Sequence, residues 1–224
     1  MAVLSQAFDD ARPLIEGDAR RAARRERMAE FAARGFISAL FVLLATRIGA
    51  EFLKTGHLTG LLLLVSELLV VVLTVVRRPA AIVDRTIAAR IVSGVSIVGV
   101  YFIRPTGDAL LPDAVTASVS AIGLLVIITG KLTLGRSFGL LPANRGVVCR
   151  GIYQAVRHPI YAGYLVTHAA FLFAHPTALN VALLVVSDLA LLVRAVYEER
   201  TLAADVAYAD YMTRVRWRVL PGAF

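Results

Sequence analysis

The stretch from Leu58 to Val76, LTGLLLLVSELLVVVLTVV, is an apolar run as long as the hydrocarbon core of a bilayer is thick when coiled as a helix. It is one of six such runs: Phe36 to Leu53, Leu58 to Val76, Ile87 to Ile103, Ala114 to Gly130, Ile160 to Ala174 and Ala178 to Val196. Hydrophobic residues make up 58% of the 224 and charged residues only 18%, against roughly 25% in ordinary globular domains. A soluble fold is therefore excluded, and the expected class is an all-α polytopic transmembrane bundle of about six spans. The count falls to five if the short fifth run does not cross. Only His175, Pro176 and Thr177 separate the fifth and sixth runs, which predicts a tight antiparallel hairpin.

The charge balance sets orientation. Twenty of the 24 Lys and Arg fall on one side of a six-span arrangement, in residues 1–35, 77–90, 131–157 and 197–224. By the positive-inside rule both termini lie in the cytoplasm, and the expected location is the inner membrane. The net charge of +8 then reports topology and anionic lipid headgroups rather than nucleic acid, which is not an expected partner. Residues 1–35 read as a basic, membrane-skimming helix, and no short apolar segment with a cleavage site precedes the first span, so no removable signal peptide is expected. Residues 36–130 hold four membrane helices and 131–224 the remainder. The lone Cys149 forms no intramolecular disulfide, and the four histidines, His57, His158, His168 and His175, show no metal-ligand spacing.

Ionisable groups at membrane depth are costly and mark function or pairing. Arg47 and Glu51, four residues apart, share a helical face and read as a self-neutralising pair. For Glu67 and Asp188 a structural role is favoured, and His168 reads as an interhelical hydrogen bond. Arg194 lies four residues before Glu198 at the end of the last span, so one face carries both. A guanidinium held by a carboxylate there either clamps an anionic group and orients a nucleophile, or ends the helix as a snorkelling pair.

A second constellation runs from Gly135-Arg136-Ser137-Phe138-Gly139 through Gly151-Ile152-Tyr153 to Arg157-His158-Pro159-Ile160-Tyr161-Ala162-Gly163-Tyr164. Pro159 predicts a helix start, whose free amides beside His158 form a socket for a carboxylate or phosphate. Gly163 lets a ligand or a neighbouring helix approach closely. The alternative is an interfacial N-cap at His158 with an aromatic belt at Tyr161 and Tyr164. No Walker loop, GxSxG elbow or GxGxxG fingerprint is present.

Taken together, Gly151-Ile152-Tyr153, the run Arg157 to Gly163, and Arg194 leading to Glu198-Glu199-Arg200 resemble the isoprenylcysteine carboxyl methyltransferase family. A tail with Leu202, Tyr208, Tyr211 and Arg214 to Gly222 belongs to the same resemblance, which extends over about residues 125–224. Ile152 stands where the family usually has proline, and Asp205-Val206-Ala207-Tyr208 replaces its usual Phe-Gly pattern. The resemblance implies a membrane methyltransferase using S-adenosylmethionine, enclosed by the last helices and a cytoplasmic C-terminal segment within 131–224. It implies Gly151, Tyr153, Arg157, His158, Pro159, Tyr161, Glu198 and Glu199 as cofactor-binding residues, and Arg194 with Glu198 as the catalytic pair. The membrane setting points to a lipophilic small-molecule acceptor bearing a carboxylate, amine or thiol, and membrane lipids are expected as further partners. Two other classes fit parts of the pattern: an NADPH-dependent membrane lipid or sterol-type reductase, which shares the hairpin, and a non-enzymatic transporter using Arg47, Glu67 and Asp188.

Overall fold

A computed structural model describes the backbone of residues 2–56 and 58–224. Side chains are described from Glu30 onward, except at positions 55 and 57, and before it at Arg21, Arg24, Arg25 and Met28. His57 and most side chains of the basic segment 1–35 therefore lie outside the described residues. Each apolar run is a helix: α1 Ala2–Thr55, α2 Leu58–Val76, α3 Ile87–Val98, α4 Asp113–Leu134, α5 Pro159–Ala174 and α6 Ala178–Leu202, followed by a short α7, Val206–Arg214. A 3₁₀ turn, Gly99–Phe102, prolongs α3. By length and composition, Glu30–Lys54, Leu58–Val76, Asp113–Ser137 and Ala178–Leu202 suffice to cross a bilayer, while Ile87–Phe102 and Pro159–Ala174 are apolar but shorter. The protein is a polytopic helical membrane protein. The chain divides into two units, Met1–Leu40 and Phe41–Phe224. In the first, Arg34 Nε pairs with Glu30 at 3.1 Å.

Local chemistry places the helix ends. Thr86 accepts the Ala89 amide (3.2 Å) and Thr177 the Asn180 amide (3.2 Å), each satisfying a donor that a helix start leaves free. Pro159 occupies the first turn of α5. Two two-residue strands, β1 Ile82–Val83 and β2 Ala143–Asn144, pair antiparallel, a contact between two loops that no apolar pattern announces.

The packing partners differ from those a tight hairpin implies. α5 lies chiefly on α4 and α6 chiefly on α3, so the arms that share the His175–Thr177 turn rest on different neighbours. On α4, Gly123 and Gly130 meet α5 at Gly163 and Ile160. A Cβ built on Gly163 would lie 2.7 Å from the Gly123 carbonyl oxygen and 2.6 Å from Ile127 Cγ1. Small residues thus let two apolar helices touch backbone to backbone, which is how helices associate where lipid removes the hydrophobic drive. Gly163 serves a neighbouring helix, one of the two uses its position offered. Gly99 stands against Ser187 of α6 in the same way.

Lys131 corrects the expectation that residues from 131 onward form a cytoplasmic loop. α4 continues to Leu134, and Lys131 is fully buried, donating to the Ser66 carbonyl (3.0 Å) and hydroxyl (2.8 Å) of α2. Glu51 pairs with Lys54 one turn on, at 3.8 Å, with both exposed. His168 is joined to Asp188 across the hairpin at 2.6 Å.

Because the obstruction at Gly163 is backbone, it cannot rotate away. Gly163→Ala is expected to lower stability by about 1–3 kcal/mol despite alanine's better helix propensity, read as a lower midpoint of thermal unfolding in detergent. An unchanged midpoint would contradict the α4–α5 contact.

Candidate active site

The site is assembled where α6 ends, α5 begins and the tail returns. Glu199, 5% exposed, is the hub: Arg157 Nε approaches it at 2.8 Å, Arg218 Nε at 2.8 Å and His158 Nε2 at 3.2 Å. A buried carboxylate requires such compensation, and here the cations come from two separate stretches of chain. The tail is fastened by backbone bonds as well. The Arg157 amide donates to the Trp217 carbonyl (2.9 Å) and the His158 amide to that of Arg218 (2.7 Å). The helix start expected to be an open anion socket is thus partly closed by the chain's own carbonyls. His158 stands at the N-cap of α5, but its side chain makes no cap bond. It turns to the acids of α6 instead.

Glu198 faces the other way. Its Oε1 accepts from the Tyr161 hydroxyl (2.5 Å) and from Arg194 Nε (3.1 Å), and its Oε2 lies 3.7 Å from His158 Nδ1. Arg194, 5% exposed, also reaches the Gly139 carbonyl at 3.4 Å, and its guanidinium stands over the Tyr161 ring 5.4 Å from the centroid. The Tyr161 and His158 rings stack, centroids 5.2 Å apart and 9° from parallel. The spacing of Arg194 and Glu198 therefore produces an ion pair, and that pair is a wall of a cavity rather than a surface clasp.

This cavity has a volume of about 400 Å³. Of the residues the sequence nominated, Tyr153, Arg157, His158, Tyr161, Arg194 and Glu198 line it. Gly151, Pro159 and Glu199 stand behind that lining. Gly151, at φ +59, turns the chain into the 3₁₀ segment that carries Tyr153; Pro159 starts α5; Glu199 holds the hub. One end is aromatic, with Tyr153, Tyr208 and Tyr211. The other is apolar, with Phe41, Leu63, Val70 and Ile97 among its lining, yet Glu67, Tyr164 and His168 also face it.

The tail supplies groups that nominated no role from sequence spacing. The Tyr211 hydroxyl donates to the Tyr153 carbonyl at 2.6 Å and is itself almost wholly buried. The Tyr208 hydroxyl is buried with no hydrogen-bond partner among the described residues. Burial raises the pKa of Tyr153, Tyr208 and Tyr211 above the ordinary phenol value, so all three are neutral donors. α7, which carries Tyr208 and Tyr211, is set by Asp205: its carboxylate accepts from Asn144 Nδ2 (3.0 Å) and from the Ala207 amide (3.0 Å). The Asn144 bond, with the amide's help, holds that carboxyl below its usual range. Phe138, part of the constellation that begins at Gly135, and Arg145, which the sequence did not nominate, complete the wall from the loop after α4. Arg145 gave little signal, because no acidic or aromatic residue stands near it in sequence.

Residues 118–204 match the family model of the isoprenylcysteine carboxyl methyltransferase (ICMT) family. No curated protein matches the chain. The matched segment starts in α4 and ends after α6, so it contains Arg194, Glu198, Glu199 and the whole stretch Gly151–Tyr161. It stops short of the tail that the resemblance was expected to include. Tyr208, Tyr211 and Arg218 take their place at the site from geometry alone.

Neutralising Glu199 leaves Arg157 without its counter-charge. Glu199→Gln is expected to cost about 3 kcal/mol and to release the tail first. Limited proteolysis should then cut beyond residue 204 in the variant under conditions that spare the wild type; identical digestion patterns would exclude the hub.

Proposed function

With residues 118–204 matched to the ICMT family, we propose that the protein is an S-adenosylmethionine-dependent membrane methyltransferase acting on a lipophilic small-molecule acceptor. The observation that carries the reading is one cavity that joins the aromatic, charged end at Glu198 and Tyr208 to an apolar end among the membrane helices. We place it in the inner membrane with six spans and both termini in the cytoplasm. The Lys and Arg asymmetry supports this even with buried Lys131 left out of the count.

The donor set suits the cofactor. A sulfonium is drawn to aromatic faces, here Tyr153 and Tyr208, and an ammonium to the carboxylate of Glu198. Arg145 and Arg157 line the same wall and offer positive charge for a carboxylate. The orphaned Tyr208 hydroxyl is the clearest sign of a ligand, because a buried polar group without a partner is destabilising unless something else completes it. When bound, the cofactor supplies a methyl group already activated by the sulfonium.

The protein's part is alignment, exclusion of water and placement of charge. Arg194, fixed by Glu198 and the Gly139 carbonyl, presents its guanidinium to the acceptor's polar end. Tyr161 holds Glu198 so that one carboxylate oxygen is committed and the other turns towards His158. Where the acceptor is an amine or thiol, Glu198 takes the proton that the nucleophile releases; a carboxylate acceptor is steered by Arg194 and needs no base. The apolar end accommodates the lipophilic part, which enters from the bilayer.

Calorimetric titration of the purified protein in detergent is expected to show binding of S-adenosylhomocysteine and none of NADPH. The reverse result would make the chain a reductase, and binding of neither would leave a transport or interaction role. Tyr208→Phe is expected to weaken S-adenosylhomocysteine several-fold without lowering the melting temperature, since it deletes an unsatisfied hydroxyl; unchanged affinity would remove Tyr208 from the pocket. Glu198→Gln is expected to reduce methyl transfer into membrane lipid extracts by roughly 10²-fold or more while the bundle stays folded. Retained transfer would show that Glu198 is not essential.

A further inference from the structure

Ten or so ångströms deeper in the same cavity lies a second polar station that methyl transfer does not use. His168 is seven residues beyond Tyr161 on α5, and Asp188 six residues before Arg194 on α6, so each pair is separated by about 9–10 Å of helix rise. His168 Nδ1 and Asp188 Oδ1 are 2.6 Å apart. That contact commits Nδ1 to Asp188 in either tautomer and leaves Nε2 for a different partner. Nε2 has no hydrogen bond among the described residues, and His168 lines the cavity. Tyr164 stacks on the imidazole with centroids 6.1 Å apart, which fixes the ring plane, and Glu67 lies on the same lining.

A link between α5 and α6 accounts for Nδ1 and Asp188. It does not account for an Nε2 without a hydrogen-bond partner among the described residues, on a side chain that lines a cavity whose wall includes Leu191, Val70 and Ile97 as well as Glu67, Ser96 and Tyr101. At this depth a polar atom is retained where it meets a partner, and a neutral hydroxyl, which can donate or accept, suits a ring nitrogen in either tautomer.

Building on the methyltransferase reading, we propose that the acceptor is bifunctional: its methylated end lies at Arg194 and Glu198, and a hydroxyl group about 10 Å along its apolar body hydrogen-bonds His168 Nε2. His168 is then a specificity-determining residue, oriented by Asp188. A purely hydrocarbon tail would leave Nε2 unsatisfied and be discriminated against.

The test uses matched probes whose extended eight-carbon chain is of the order of 10 Å long: octanoate, octylamine and octanethiol, each against its ω-hydroxyl counterpart. Binding to the full-length protein in detergent is measured with S-adenosylhomocysteine present. At least one hydroxylated probe is expected to bind about tenfold or more tightly than its parent, because a site built to bond a hydroxyl rejects the analogue lacking it. His168→Asn keeps an amide near the Nδ1 position for Asp188 but has nothing at Nε2. It is expected to retain the melting temperature and bind both members of that pair within about twofold of each other. If wild-type protein fails to bind S-adenosylhomocysteine, the methyltransferase reading falls. If it binds and no pair shows the preference, or the preference persists in His168→Asn, the acceptor proposal is overturned.

Discussion

Glu199 is the interaction on which the site's architecture rests. One carboxylate, buried at the end of α6, gathers Arg157 and His158 from the start of α5 and Arg218 from the tail. The tail's carbonyls at 217 and 218 then take the amides of the same two residues, so charge and backbone bonding close the same seam. Consecutive residues on a helix point about 100° apart. With Glu199 turned to the seam, Glu198 must face elsewhere, and the direction left to it is the cavity. Two adjacent acids therefore have separate duties: one fastens the wall, the other lines the space within it.

That space exists because the hairpin arms choose different partners. Glycines at 123, 130 and 163 draw α5 onto α4, and Gly99 against Ser187 brings α6 to the end of α3. The gap between the arms is spanned by side chains rather than closed by packing: His168 to Asp188 at the turn end, Tyr161 to Glu198 at the other. Such bridges leave room beside them, which a tight knobs-into-holes hairpin would fill. Lys131 contributes from outside the gap, holding α4 to α2 through Ser66.

The sequence disclosed most of the helices because apolar periodicity and length are local signals. α2 coincides with its run, α5 begins at Pro159, and the Arg194–Glu198 pair follows directly from a spacing of four. Lys131 was misread because the apolar run ends at Gly130, whereas the helix continues until Gly135 adopts a positive φ. The closure of the α5 N-terminus by Trp217 and Arg218 was invisible, since partners about sixty residues apart leave no pattern in either segment. The same holds for the β1–β2 pairing and for Asn144 with Asp205. The tyrosines of the tail were legible as a resemblance only, and it is their burial against Tyr153 that gives them a place.

The unsatisfied groups carry as much information as the satisfied ones. Around the cavity the buried charges are compensated: Arg194 by Glu198, and Arg157 by Glu199. The Tyr208 hydroxyl and His168 Nε2, both on residues that line the cavity, have no hydrogen-bond partner among the described residues. Folding alone would replace them with phenylalanine and an apolar residue at little cost or at a gain, because deleting an orphaned polar group removes its desolvation penalty. Their retention at opposite ends of one chamber is what a ligand with two polar ends and an apolar middle would require. The charged wall between them then fixes which end faces the reacting centre.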